Sequence, residues 1–352
     1  MVVVEIDEIP ARTPSSSGFK TLADCRATRY TDVSPGNDMA TLKNTFSWSL
    51  SRERLLAECR RKYWIQYYGT WGGWEADAPS ETKVGYILKQ LRTRHMWAGS
   101  VVHDAIERVL AAWYRGQQVD AAAVEEHTVQ RMRQDFRSSR SRRYVHQPKT
   151  CALFEHHYNL PVEDSDWLRV RAHVSHCLRT FFRSSWASEL QALDMDDWLA
   201  IERFARFEIN GLPVLAKPDA AHRLPNGQGI RIIDWKTGKS QGGEEDVDQR
   251  FQLLLYAQFA ADKWSVSPES ITAVAVNLHH GDADEMHFTQ DDFDRLGHRV
   301  VDSAEPMIAQ LIDQDRTVNQ ADAADFPMSE DAAKCRRCSY KELCWRDGWK
   351  DL

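Results

Sequence analysis

The chain has 352 residues, enough for one large α/β domain or two modest ones, and its apolar fraction of 42% is that of an ordinary globular protein. Against 52 Asp and Glu stand 45 Lys and Arg, a formal net charge of -7 that excludes a globally basic nucleic-acid binder and confines any such binding to a local patch. No run approaches the roughly 18 consecutive apolar residues of a membrane span, and the N-terminus lacks the basic start and apolar stretch of a secretory signal, so no membrane partner and a cytoplasmic location are expected.

Residues 1–45 are rich in Ser, Thr, Pro, Gly and Asp without sustained periodicity and read as a flexible N-terminal arm. From Ser49 to Tyr68, Leu55, Leu56, Tyr63, Trp64 and Tyr67 recur at helical spacing behind Ser51, a candidate cap, and Cys59 falls inside that helix. A Gly- and Trp-bearing loop, Gly69 to Asp77, follows. Val101, Val102, Ile106, Val109 and Leu110 mark a helix starting near Gly99, on which His103 and Glu107, four apart, share a face. Two more helices are expected around Ala121–Phe136 and Trp167–Trp186, joined by an exposed arginine-rich loop from Arg137 to Lys149.

After Asp197 the period changes. The stretches Trp198–Ile209, Leu212–Leu224 and Ile230–Trp235 read as a three-stranded meander, because Asn210-Gly211 and Asn226-Gly227 supply the positive φ that hairpin turns demand. A helix over Val247–Ala261, a strand over Ile271–Leu278, a short strand near Met286–Phe288 and a helix from Asp291 to about Ile312 complete the expected core. There is no internal repeat.

Asp219 falls near the end of the second meander strand and Asp234 near the end of the third, where hairpin pairing brings two carboxylates to one edge. Asp234 and Lys236 are two apart, so on a strand they face one pocket together. Two carboxylates suit Mg²⁺ or Mn²⁺, which acidifies a water and neutralises charge on a scissile phosphate, and a lysine beside them can orient the nucleophile. Alone, an Asp-x-Lys triplet is most often surface charge on a sheet edge. Here Pro218-Asp219 precedes it, His103 and Glu107 lie on an earlier helix, and Gln252 and Tyr256 on the next one.

In this order the residues resemble the RecB-like branch of the PD-(D/E)XK nucleases, which includes CRISPR-associated exonucleases and the nuclease domains of bacterial recombination helicases. Gly99-x-x-x-His103-x-x-x-Glu107 resembles the first motif of that family, Pro218-Asp219 the second, Asp234-Trp235-Lys236-Thr237-Gly238 the third, and Gln252-x-x-x-Tyr256 the motif that lies beside the active site and engages DNA. The resemblance implies that His103, Asp219, Asp234 and the Trp235 backbone carbonyl bind metal, that Lys236 is catalytic with Gln252 and Tyr256 beside it, and that Glu107 supports the site. Two positions depart from the pattern. Ala216 stands where a glycine is frequent, and Asp234 where some relatives have Glu; neither removes a ligand.

Of the seven cysteines, Cys335-x-x-Cys338-x₅-Cys344 forms a compact run in a basic tail, and Cys59, followed by Arg60-Arg61-Lys62-Tyr63-Trp64, is the natural fourth. Clustered thiols in a reducing cytosol point to metal rather than disulfides. This arrangement resembles the iron–sulfur members of the same family, which implies a [4Fe-4S] cluster; a Cys₄ zinc site uses the same thiolates. Cys25, Cys151 and Cys177 have no comparable spacing.

The fold expected from the resemblance is a restriction-endonuclease-like α/β core with a mixed sheet flanked by helices, plus a helical iron–sulfur lobe made by both chain ends. Its parts are the arm at 1–45, the first part of the lobe at 46–98, a nuclease core at 99–325 with a helical insertion at about 119–190, and the rest of the lobe at 326–352. The expected activity is divalent-metal-dependent DNA cleavage, exonucleolytic on single strands or ends, in recombination, repair or CRISPR-type processing. Arg140, Arg142 and Arg143 are candidate DNA contacts within the basic run from Arg131 to Lys149, although such runs are often just solvated faces. Trp64, Tyr67, Tyr68, Trp71 and Trp74 at helical spacing read first as core and second as base-stacking groups. No G-x-x-x-x-G-K-[ST] loop is present, so unwinding would come from a partner such as a helicase, an annealing protein or CRISPR integration machinery. The alternative is a non-catalytic DNA-binding or assembly subunit, against which the joint presence of Asp219, Asp234 and Lys236 argues.

Overall fold

The computed structural model describes residues 43–202, 204–239, 244–313 and 319–351. Cys25 and the expected arm up to residue 42 lie outside them. Helices α1 (Leu50–Glu58) and α2 (Arg60–Trp64), a π-helical turn at Ile65–Gly69 and α3 (Ser80–Leu88) lead into the long α4 (Arg94–Tyr114) and α5 (Ala121–Arg140). The helices α6 (Phe154–His157), α7 (Asp164–Arg183) and α8 (Ser185–Gln191) precede seven strands: β1 (Trp198–Ile201), β2 (Ala205–Ile209), β3 (Leu212–Ala216), β4 (Ala220–Arg223), β5 (Ile230–Lys236), β6 (Ile271–Asn277) and β7 (Asp282–His287). Helix α9 (Glu244–Trp264) connects β5 to β6, α10 (Gln290–Ile308) follows β7, and the short α11 (Ala332–Arg336) and α12 (Lys341–Trp345) come last. No helix among the described residues is long and apolar enough to cross a membrane.

Five strands form a mixed sheet in the order β1-β4-β5-β6-β7, in which only β5 and β6 run parallel. A parallel pair needs a crossover, and α9 supplies it. Alternation along the strands sorts the two faces. Ile230, Ile232, Ala221, Ala273 and Ala275 pack with α9, α10 and the segment Phe46–Leu50, while Ala220, Ile233, Trp235, Val274 and Val276 pack against α4 and α7. The sheet is thus an α/β core covered on both sides.

The expected meander is replaced by two separate sheets. Glu202, at a φ of 48°, ends β1, and β2 leaves to pair with β3 as a two-stranded ribbon. Pro218, lacking an N–H for a ladder, sits in the break between β3 and β4. Asn210 and Gly211, at φ of 50° and 73°, do make the expected hairpin. Asn226-Gly227 does not: it belongs to a 3₁₀ turn at Pro225–Gly227, and the β4–β5 connection closes through Leu224 N–H to the Gly229 carbonyl at 2.8 Å.

Smaller differences have equally local causes. Helix α5 continues through Arg140, so the first four residues of the expected arginine loop are helical. Ser49, not Ser51, caps α1 by accepting from Arg52 N–H. Cys59 is extended between α1 and α2, not inside a helix, and its sulfur accepts from Lys62 N–H at 3.5 Å. The last strand begins at Asp282 rather than near Met286 because all of it pairs with β6.

Candidate active site

Strand register assembles the acidic residues. Ile201 pairs with Ala220 and Ala220 with Ile233, so one step further Glu202, Asp219 and Asp234 fall in one row across β1, β4 and β5. The row lies where the β1–β4 and β4–β5 ladders have just ended, which leaves side chains and open backbone edge together. Glu202 N–H donates to the Asp219 carbonyl at 2.8 Å, and Trp235 N–H donates to Asp219 Oδ2 at 2.7 Å. Helix α4 brings in His103, whose Nδ1 lies 3.3 Å from both Glu202 Oε1 and Asp219 Oδ1. Gly99 lets α4 come close: a Cβ there would stand 3.1 Å from Thr237 Oγ1.

Ligand atoms of His103, Glu202 and Asp219 all lie within 4.8 Å of one another, a set fit for a divalent ion. Asp234 is buried beside them. Its Oδ2 is 2.6 Å from Lys236 Nζ yet receives no directed hydrogen bond, a buried carboxylate oxygen left with coordinating capacity. Lys236 Nζ donates to Gln252 Oε1 at 2.8 Å, and Gln252 Nε2 donates to Tyr256 OH at 2.7 Å. Because Gln252 and Tyr256 are one turn apart on α9, the helix presents them as a bracket for the lysine. Tyr256 is itself buried.

The charges are strongly coupled. Burial pulls the His103 pKa down, but the Asp219 carboxylate and then Glu202 outweigh it and push it up to about 10. Burial raises Asp219 to about 6, the Asp234 charge adding to the rise and His103 opposing it. For Glu202 the penalty of burial is overcome by hydrogen bonds from His103 and Lys217, which hold its pKa below the ordinary value. Lys217, ion-paired to Glu202, is held above its usual value by that carboxylate despite burial. Glu107 lies one turn beyond His103 on α4, and partial desolvation together with the nearby Glu202 charge raises its pKa. In the metal-free protein, protonated His103 and Lys217 therefore supply the positive charge that the carboxylates require.

At the other place singled out by sequence, Cys59, Cys335, Cys338 and Cys344 line one cavity together with Arg61, Lys62, Lys334 and Lys341. Cys59, extended at the N-terminus of α2, lines the same cavity as the three cysteines of the tail. Burial pushes Cys338 up to about 11 and Cys344 up to about 12, the charge of Cys59 adding to both shifts. Cys151 and Cys177 do not line this cavity. Arg142 donates to the His157 carbonyl and Asn159 Oδ1, and Arg143 Nε to Gln147 Oε1, whereas exposed Arg140 has no ion-pair partner among the described residues.

Sequence reasoning missed Glu202 and Lys217. Glu202 becomes visible only when β1 is paired with β4, and a continuous strand over Trp198–Ile209 hides that pairing. Lys217 adjoins Pro218-Asp219 and carried a signal of its own, a basic residue two before the key carboxylate.

The sequence profile of the PD-(D/E)XK nuclease superfamily matches residues 47–345. The chain belongs to that superfamily, and its α/β fold with a mixed sheet between helices is consistent with a nuclease core of this class. Membership points to a metal-dependent nuclease. No curated protein sequence matches the chain. A solved structure titled "Crystal structure of SSO0001" is similar at 16% identity over 60% of this chain and 80% of that chain, with a TM-score of 0.28.

Proposed function

We propose that this protein is a divalent-metal-dependent deoxyribonuclease, acting as an exonuclease on single-stranded DNA or DNA ends. The observation that carries the reading is the row Glu202–Asp219–Asp234 with His103 at one end and Lys236 at the other. His103, Asp219 and Asp234, with Glu202 added, would hold Mg²⁺ or Mn²⁺. In an extended strand N–H and C=O of one residue point the same way, so the Trp235 carbonyl opens to the side where its N–H meets Asp219. When bound, the ion supplies an acidified water and neutralises charge on the scissile phosphate. Lys236 holds its ammonium beside Asp234, where it can orient the nucleophile and meet negative charge developing on the phosphate. Gln252 and Tyr256 act as positioning residues that fix Lys236, and Lys217 steadies Glu202.

We assign the four-cysteine cavity to a [4Fe-4S] cluster. The reading rests on the four thiols lining one cavity and on the resemblance of their order to the iron–sulfur members of the family, and Arg61, Lys62, Lys334 and Lys341, against the single carboxylate Glu58, offer positive charge to a group held by four thiolates. Anaerobic purification followed by iron and zinc analysis and near-visible absorbance decides between the two metals.

The decisive assay is cleavage of end-labelled single- and double-stranded DNA with Mg²⁺ or Mn²⁺. Wild-type protein should shorten labelled strands progressively from an end, and Asp234→Ala should lose about 10³-fold in rate. A folded, metal-loaded wild type that binds DNA without cutting it would establish the non-catalytic alternative.

A further inference from the structure

The aromatic residues after α2 do not all enter the core. Tyr63 and Tyr68 are buried, but Trp71 and Trp74 are 37% and 40% exposed. The indoles of Trp71 and Trp74 meet edge to face at 5.1 Å, and Trp74 meets Tyr86 of α3 in the same way at 5.8 Å. Trp74 and Tyr86 of this series line a groove of about 600 Å³ together with the segment from Val145 to Thr150. Lys83 and Lys149 stand on its two sides with His146, against a single carboxylate, Glu75. Lys83 spends one hydrogen bond on the Ala76 carbonyl at 2.6 Å, and exposed Lys149 makes no ion pair among the described residues.

A basic track leads to the groove. Arg133, Arg137 and Arg140 are exposed on α5 at spacings of four and three, which places them on one helical face. None of the three has an ion-pair partner among the described residues, unlike Arg131, which is paired with Asp104. The chain leaving α5 becomes the groove wall within a few residues of Arg140. In a protein of net charge -7, three arginines without an ion-pair partner among the described residues, on the helix whose chain continues into the groove wall, form a local exception.

We infer that this groove is a binding site for single-stranded DNA outside the catalytic centre, with Trp74 as the base-stacking platform and Lys149 and the α5 arginines as phosphate contacts. The inference rests on the nuclease reading for its choice of polymer. Its chemistry follows from the site: flat aromatic faces accept unpaired bases of any sequence, and fixed cations follow the backbone. A duplex hides its base faces and cannot use Trp74.

The test measures binding without cleavage. Full-length protein in EDTA is titrated with an oligo-dT of about 16 nucleotides, the upper end of a single-strand site, and with a duplex of equal length. Tryptophan emission should be quenched by oligo-dT and not by the duplex. Trp74→Ala should weaken oligo-dT binding about tenfold, Trp74→Phe should restore most of it, and Lys149→Glu should flatten the dependence of log affinity on log salt by about 0.7. Thermal unfolding of each variant checks that the fold is intact, and the surface charge change tests the groove even if loss of the indole disturbs α3. Wild-type binding by both Trp74→Ala and Lys149→Glu, or absence of oligo-dT binding by the wild type, overturns the proposal. Cleavage by the wild type in Mn²⁺ is scored separately, so a protein that binds oligo-dT through Trp74 but never cuts DNA sinks the nuclease reading alone.

Discussion

His103 and Asp219 give the site an acid–base signature. The Asp219 and Glu202 carboxylates push the His103 pKa up to about 10 against the effect of burial, and burial with the Asp234 charge raises that of Asp219 to about 6. A metal ion needs both groups deprotonated, so binding at neutral pH must expel the His103 proton. As pH falls through 6, Asp219 takes up a proton as well, and affinity drops more steeply. Affinity for Mn²⁺ should therefore rise with pH across the neutral range by up to about tenfold per unit. Calorimetric titration in two buffers of different ionisation enthalpy should show about one proton released per ion near pH 8; a buffer-independent heat would contradict the His103 assignment. Gln252 makes a different prediction. Since it touches Lys236 and not the metal set, Gln252→Ala should lower kcat about 10- to 100-fold, the usual cost of an outer supporting partner, and leave Mn²⁺ affinity unchanged.

At the level of elements, two glycines that look alike in sequence have unlike duties. Gly211 turns the β2–β3 hairpin at a φ of 73° with open space where a Cβ would go, so Gly211→Ala should cost about 1 kcal/mol of backbone strain. Gly229 has a φ of 134°, and a Cβ there would stand 2.0 Å from the Ser270 carbonyl oxygen, so Gly229→Ala must also push β5 and the turn before β6 apart. About 3 kcal/mol is expected, and denaturant titration of the two variants side by side reads the difference. Local chemistry made the first turn legible, since Asn210-Gly211 supplies the positive φ a tight hairpin needs, although the same dipeptide at Asn226-Gly227 sits in a 3₁₀ turn. The duty of Gly229 depends on a neighbour some forty residues away, which no local pattern reports. The same division runs through the site. The spacing of two puts Asp234 and Lys236 on one strand face by itself, whereas His103, Asp219 and Gln252 are singled out by the order of motifs in the resemblance, which no local spacing supplies. Glu202 is reached by neither, since its place follows from the pairing of β1 with β4 and from the departure of β2 into a separate ribbon.

Over the whole molecule, the cysteine lobe is built from three distant pieces of chain. Ile65, Leu88 and Leu91 from the first part, Tyr144, Phe154 and Tyr158 from the segment after α5, and Tyr340 from the tail share one apolar cluster, with Cys338 and Cys344 packed against it. Tyr158 OH donates to the Ser339 carbonyl at 2.8 Å, and Lys341 lies over the Tyr158 ring at 4.0 Å. This cluster is small beside the two that cover the sheet, so apolar burial alone holds the tail weakly. Ligation of Cys59 together with Cys335, Cys338 and Cys344 would close nearly the whole described chain into one loop, and a cross-link over a segment of roughly 300 residues removes about 5 kcal/mol of unfolded-chain freedom. Cys344→Ser should accordingly lower the iron content and the unfolding temperature together and make the tail after Phe326 the first site of proteolysis, while the sheet core survives digestion. Cys151→Ser, outside the cavity, should change none of these. If Cys344→Ser retained full iron and resisted protease like the wild type, the four-thiol clasp would be wrong, and the lobe would have to be held by the aromatic cluster and its hydrogen bonds alone.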